Sequence, residues 1–395
     1  MCLNSPQRIK RVQGALPLAT DALSYCSLTR FSIFHRMTGT STPPTVVRLL
    51  PFATCLWFAV CSTGAGKAHA DEVRLTNETT AAPPERSPSL RFNGAVIPIT
   101  GGDPSCGPSA LYNRTIDYSR YEYGCSEIEA MMVGPKQYIA GGNSRDVFLV
   151  DYEGHKLVLK TTKHESAHLS TRHAMEAIAL DVVMGAPYIA PTLGVCGTAS
   201  VQPFFAGGTV EGLIFEGAWT GVPIEMPVVL QMSLDAMRGL QVLHEAPGGP
   251  IIHNAIRPEQ LLRYANGTVV VSDLNSCNFM GVTPSGEACP TRSDISHNAR
   301  WNAPEFYSDG QGYTEMVDIY SMAIVFWQLV SLRTVPFESK HRHDIPDLVA
   351  SHQRPFVDPS WDPHYAQLLQ DMWRTDPEMR PSARQVVARL EEMLQ

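Results

Sequence analysis

The hydrophobic pattern of this chain changes period once, and that change limits the folds open to it. Around and after Tyr138 the runs KQYIAGG, RDVFLVDY and HKLVLKT are short, apolar and separated by turn residues, as in a small antiparallel sheet. The stretch HESAHLSTRHAMEAIALDVVMG follows, and its Met175, Ile178, Ala179, Val182 and Val183 recur at helical spacing. Beyond about Gly221 helical runs dominate: VVLQMSLDAMRGLQVLHEA, MVDIYSMAIVFWQLVSL, HYAQLLQDMWR and SARQVVARLEEMLQ. The expectation is an α+β chain with a small antiparallel β lobe ahead of a larger helical lobe. No internal repeat points to a solenoid.

Composition agrees with a folded chain over most of its length. With 395 residues, 44% hydrophobic and 18% charged, there is enough apolar material for two core-bearing lobes. The net charge of -8 and the lack of a long Lys/Arg run exclude the basic field that nucleic-acid binding needs.

The first 70 residues are different. Residues 1–48 carry Arg8, Lys10, Arg11, Arg30, Arg36 and Arg48 against Asp21, and the apolar run LLPFATCLWFAVC follows from Leu49 to Cys61. That run is short for a bilayer span but suits the core of a signal peptide, with Ala68-His69-Ala70 as a small-residue cleavage site. Residues 1–70 therefore read as a signal peptide or signal anchor region, with membrane anchorage through residues 49–61 if uncleaved and Met37 as an alternative start. The secretory pathway, lumenal or extracellular, is the expected location. Residues 71–105, with LTNETTAAPPERSPS, read as a flexible stalk, 106–137 as a lead-in segment and 138–395 as the folded domain.

Asn77-Glu78-Thr79, Asn113-Arg114-Thr115 and Asn266-Gly267-Thr268 are N-glycosylation acceptor patterns. Past residue 70 the cysteines are Cys106, Cys125, Cys196, Cys277 and Cys289. They are either ordinary buried thiols or bridged in an oxidising lumen as Cys106 with Cys125 and Cys277 with Cys289, leaving Cys196 over. The histidines include His341 and His343, and His164, His168 and His173; with no zinc spacing they read as solvated surface residues.

Several motifs in order resemble those of the eukaryotic protein kinase superfamily, and the resemblance covers residues 138–395. LVLK ends in Lys160, Glu176 lies on the following helix, and Asn302-Ala303-Pro304-Glu305 is similar to the A-P-E that ends an activation segment. Asp318 heads the apolar run VDIYSMAIVFWQLV, and Arg380 falls in WRTDPEMRPSARQVV. The resemblance implies a two-lobed fold, ATP with Mg²⁺ or Mn²⁺ as cofactors, and a protein substrate or partner. It implies that Lys160 holds nucleotide phosphates while pairing with Glu176, and that Glu305 and Arg380 form a structural ion pair. A lysine ending a buried strand is costly unless paired, which agrees.

The catalytic elements depart from the family pattern. His253-Asn254-Ala255-Ile256-Arg257-Pro258-Glu259-Gln260 overlays the catalytic loop with Ala255 where the base aspartate belongs and Gln260 where the metal-binding asparagine belongs. Asp273-Leu274-Asn275 stands for D-F-G, with Asp273 the metal carboxylate, Leu274 filling the phenylalanine's place and Asn275 suited to an unusual backbone angle. Of the Gly-rich loop only Gly142 and Val147 match, and Arg145 stands where the last glycine would, where it blocks close backbone approach or itself binds phosphate. These departures imply a pseudokinase that binds ATP through Lys160, Glu176 and Asp273 without efficient transfer. The alternative is an active or weakly active kinase using Glu259 as a substitute base.

Overall fold

A computed structural model of the chain describes residues 106, 109–142, 145–163, 167–285, 288–291, 299–307 and 312–395. The expected signal region, the stalk and the Asn77 acceptor lie outside the described residues. No helix among the described residues is long and apolar enough to cross a membrane.

The elements run α1 Cys125–Val133, β1 Lys136–Gly141, β2 Arg145–Tyr152, β3 His155–Thr162, α2 Ala167–Val182, β4 Gly194–Cys196 and β5 Ala199–Pro203. There follow α3 Val210–Thr220, α4 Met226–His244, β6 Ile251–Ile252, β7 Leu261–Arg263, β8 Val269–Val271, β9 Asn278–Phe279, β10 Gly281–Val282 and β11 Ala288–Cys289. The chain finishes with α5 Met316–Ser331, α6 Ile345–Ala350, α7 Pro363–Met372 and α8 Ala383–Met393. The expected two lobes are present: an antiparallel five-stranded sheet in the order β1-β2-β3-β5-β4 with α2, then a helical lobe.

The small lobe has a core of its own. Val150, Leu157, Leu159, Ala199 and Val201 close one face of the sheet against Ile128 and Met131 of α1. The large lobe is built around α5, which is buried on nearly every side and carries Asp318, itself 1% exposed, in its first turn. A helix apolar all round has to sit at the centre of its lobe. Helix α4 packs against it, with Met237 and Leu240 in the same core, and α7 packs through Tyr365 against Phe326. Helix α8 starts with a capping box in which Ser382 and Gln385 exchange side-chain bonds with each other's backbone amides.

The cysteine pairing differs from the expectation. Cys106 is bonded to Cys289 and Cys125 to Cys196, and Cys277 is the buried free thiol. Tertiary folding overrides sequence proximity here. The lead-in also does more than precede the domain. Leu111 and Ile116 sit in the large-lobe core, and Tyr123 bonds through its amide to the Leu193 carbonyl beside β4 at 2.9 Å. Gly194 is required at that crossing, since a Cβ there would lie 2.6 Å from the Tyr123 carbonyl oxygen.

Candidate active site

Strand alternation aims two cations at the same place. In the β2–β3 ladder Val147 lies opposite Lys160 and Arg145 opposite Thr162, so Arg145, Val147 and Lys160 share a sheet face. Glu176 on α2 is 3% exposed, a carboxylate that needs a partner. The partner is Arg145, whose Nη2 is 2.7 Å from Glu176 Oε2 and whose Nη1 donates to Oε1 at 3.0 Å. The expected Lys160–Glu176 pair therefore does not form among the described residues, and Arg145 is turned into this buried site instead. It is 6% exposed and donates further to the Thr198 carbonyl at 3.2 Å and to His173 Nε2 at 3.2 Å. A planar guanidinium satisfies several acceptors at once, which one ammonium group does less well in a dry site. Lys160 still lines the cleft with Glu176 and Asp273 and makes no ion pair among the described residues.

His173 is buried rather than solvated, at 4% exposed. Its Nε2 accepts from Arg145, which requires a neutral ring. Burial, then the nearby Arg145 and Arg172 charges, push its pKa down to about 4. Arg172, also on α2, donates to Ser276 Oγ at 3.2 Å, and burial lowers its pKa. His341 and His343 are exposed, while His164 lies outside the described residues. No His, Cys, Asp and Glu cluster suited to a metal occurs among the described residues.

The loop from Ile252 to Gln260 is held from below by α5. Asp318 Oδ2 accepts the His253 amide at 2.7 Å and Oδ1 accepts the Asn254 amide at 2.9 Å. His253 Nε2 donates to the Ser272 carbonyl at 2.8 Å, leaving Nδ1 to accept the Ala255 amide at 3.3 Å. Asn254 takes a left-handed backbone, φ 62°, and ties the loop to the Ser276 carbonyl through Nδ2 at 3.2 Å. At the position this scaffold supports, the side chain is the methyl of Ala255. Glu259 forms an ion pair with Arg257 at 2.7 Å.

The unusual backbone angle expected at Asn275 falls instead on Asp273, with φ 65°, and Asn275 lies inside a short helical turn. Leu274 fills an apolar place as expected, at 1% exposed. The Gln260 amide packs against Asp273. With its nitrogen inward it donates to Asp273 Oδ2 at 3.0 Å, and its oxygen accepts from Arg257 Nη2 at 3.2 Å. With the amide turned over, two acceptor oxygens converge and repel unless a cation lies between them. Asp273 and Gln260 thus fit a hard divalent cation in donor type and spacing.

The enclosed part of the cleft behind Lys160 and Asp273 amounts to about 10 Å³, about one water's worth of room. Gly142 is exposed, and its amide donates to the Arg145 carbonyl at 2.9 Å. On the far side, Glu305 and Arg380 form the expected ion pair through two contacts of 2.6 and 2.8 Å. Arg380 also donates to the Met316 carbonyl at 2.8 Å, fastening the start of α5 to the segment before α8.

Sequence reasoning missed Arg145 as the partner of Glu176, and it missed Arg172 and His173. Strand alternation was the available signal for Arg145, because it sits two residues before Val147 and so on the Lys160 face.

Residues 136–390 match the sequence profile of the family described as protein tyrosine and serine/threonine kinase. Among similar proteins are two from Dictyostelium discoideum, "Probable serine/threonine-protein kinase roco7" and "Probable serine/threonine-protein kinase drkC". The first is 26% identical over 70% of this chain and 11% of its own length, the second 27% identical over 78% and 40%. "Serine/threonine-protein kinase 12" of Arabidopsis thaliana is 32% identical over 42% of this chain and 35% of its own. The chain thus spans well under two thirds of the length of each of these relatives.

Proposed function

This chain belongs to the protein tyrosine and serine/threonine kinase family, and from that premise we propose that it is a pseudokinase, a nucleotide-binding scaffold whose output is its effect on a protein partner. One observation carries the reading. Asp318 holds the His253–Asn254 backbone in place, yet the side chain presented there is the methyl of Ala255. A methyl group neither accepts the proton of an attacking hydroxyl nor orients it, which forgoes on the order of 10²- to 10⁴-fold from general-base catalysis. Glu259 is a poor substitute, since Arg257 holds its carboxylate at 2.7 Å.

What remains suits phosphate binding. Lys160 is released from Glu176 and free to meet a phosphate, while Asp273 and Gln260 would hold Mg²⁺ or Mn²⁺. A divalent ion bound there supplies neutralisation of phosphate charge. The expected ligand is an adenine nucleotide lying between the lobes. Two disulfides and the exposed acceptors Asn113 and Asn266 support a lumenal or extracellular location. Free thiols at Cys106, Cys125, Cys196 and Cys289 in the isolated protein, with no glycan on either asparagine, would remove that support.

The deciding experiment is phosphate transfer from γ-labelled ATP by the purified full chain, on itself and on generic protein acceptors, beside Asp273→Ala. Thermal shift with ATP, with and without Mg²⁺ or Mn²⁺, runs in parallel on wild type and Lys160→Met. The expected result is no incorporation above the Asp273→Ala control together with a nucleotide-dependent stabilisation that Lys160→Met removes. Incorporation that Asp273→Ala abolishes overturns the pseudokinase reading. Absence of any nucleotide shift overturns the binding role.

A further inference from the structure

The segment from Cys106 to Val133 is joined to the large lobe, to α2 and to the small lobe in turn. It begins on the large lobe, where Cys106 is bonded to Cys289 and Ser109 Oγ donates to the Gly248 carbonyl at 3.3 Å. It ends on the small lobe, where Cys125 is bonded to Cys196 and α1 covers the sheet. Between the two anchorages it crosses α2. Arg114 Nε reaches Asp181 Oδ2 at 2.9 Å and Arg120 Nη1 reaches Oδ1 at 3.1 Å, so two guanidinium groups share one carboxylate. Arg120 also donates to the Asp181 main-chain carbonyl at 3.2 Å.

Asp181 lies five residues beyond Glu176 on the same helix, and its side chain is 2% exposed whereas the two arginines keep over a third of theirs in solvent. A carboxylate so buried is held by its partners, and losing both leaves it unpaired in a dry place. The partners lie on a segment covalently fixed to both lobes. The helix is therefore positioned from outside the sheet, at its C-terminal end, by a clasp that does not depend on what the cleft contains.

We propose that residues 106–133 form a disulfide-fastened clasp that fixes α2 through Asp181, making Asp181 a positioning residue for Glu176 and for the back wall of the cleft. The proposal needs neither nucleotide nor phosphate transfer, so it stands or falls apart from the pseudokinase reading. Cys277 provides an internal probe. It is 4% exposed and follows the turn Leu274–Ser276 against which Arg172 of α2 is bonded, so lifting α2 uncovers its thiol.

The test uses the full chain with both disulfides intact, as wild type, Asp181→Asn, Arg114→Ala/Arg120→Ala and Arg114→Lys/Arg120→Lys. Peptide-resolved amide exchange is followed in α2 and α5, and alkylation of Cys277 by iodoacetamide is followed by mass spectrometry. The expected result is at least about 10-fold faster exchange in α2 and faster alkylation of Cys277 in Asp181→Asn and in the double alanine variant. Exchange in α5 stays at the wild-type rate, and the double lysine variant recovers most of the α2 protection. Unchanged α2 exchange and Cys277 alkylation overturn the proposal. So does an equal rise in α5, which means that the arginines only contribute to global stability.

Discussion

Arg145 and Lys160 offer two cations to one buried carboxylate, and the arginine wins because its fork satisfies Glu176, His173 and the Thr198 carbonyl together. The two side chains should therefore behave oppositely under substitution. Arg145→Ala strands Glu176 in a dry site and should cost roughly 3–5 kcal/mol, while Lys160→Met, in the open cleft, should stay within about 1 kcal/mol. Urea unfolding midpoints at pH 7.5 check this, and equal losses would show that both cations hold α2. His173 adds a pH signature. Its folded-state pKa lies near 4 against an ordinary value of 6.5, so it is the unfolded chain that takes up the proton between those values. Stability is full above about pH 6.5 and falls as pH drops towards 4, by about 1–3 kcal/mol in this order-of-magnitude reading. His173→Gln keeps an acceptor for Arg145 without the titration, and the wild-type decline between pH 6.5 and 4 should flatten in it. Melting temperatures across that range give the comparison.

Helices are where the sequence was most readable, and α4 shows the limit of reading it. Gly239 stands in the middle of α4, where propensity alone predicts a gain of about 1 kcal/mol from Gly239→Ala. The loop after α2 crosses at that point, and a Cβ on residue 239 would lie 2.4 Å from the Tyr188 carbonyl oxygen and 2.8 Å from Val271 Cγ2. Gly239→Ala should therefore destabilise, by about 1–3 kcal/mol, and a denaturant titration showing increased stability would contradict the packing described. The same contrast governs the rest of the fold. The periods of α4, α5, α7 and α8 are properties of single elements and were legible. So were Asp318 and the Glu305–Arg380 pair, because their motifs keep order along the chain. Which of two same-face cations meets Glu176 depends on how α2 docks, and spacing does not encode that. The lead-in was illegible for a similar reason: its segments Ala110–Asn113 and Tyr118–Arg120 are short helical turns with no period to detect. Their partners, Gly248 and Asp181, lie 139 and 61 residues away from Ser109 and Arg120.

The molecule as a whole is closed by long covalent loops. Cys106–Cys289 joins residues 183 apart and Cys125–Cys196 residues 71 apart, and both bonds link the lead-in to the body. In the chain-entropy account a crosslink restricts the unfolded ensemble more as its loop lengthens, with an upper value of about 4–5 kcal/mol for loops of this size. Neither loop is redundant with the other, because one bond ends on β11 in the large lobe and the other on β4 in the small one. The first bond should matter more to global unfolding and the second to the small lobe, whose own core is only a few side chains around Leu159 and Val201. Cys106→Ser/Cys289→Ser and Cys125→Ser/Cys196→Ser should each lower the melting temperature of the oxidised protein, the first pair by the larger amount. A dithiol reductant, which takes each cystine to two thiols and is itself oxidised to a disulfide, should bring wild type below either variant. If reduction leaves the melting temperature of wild type unchanged, the two lobes are held by packing alone.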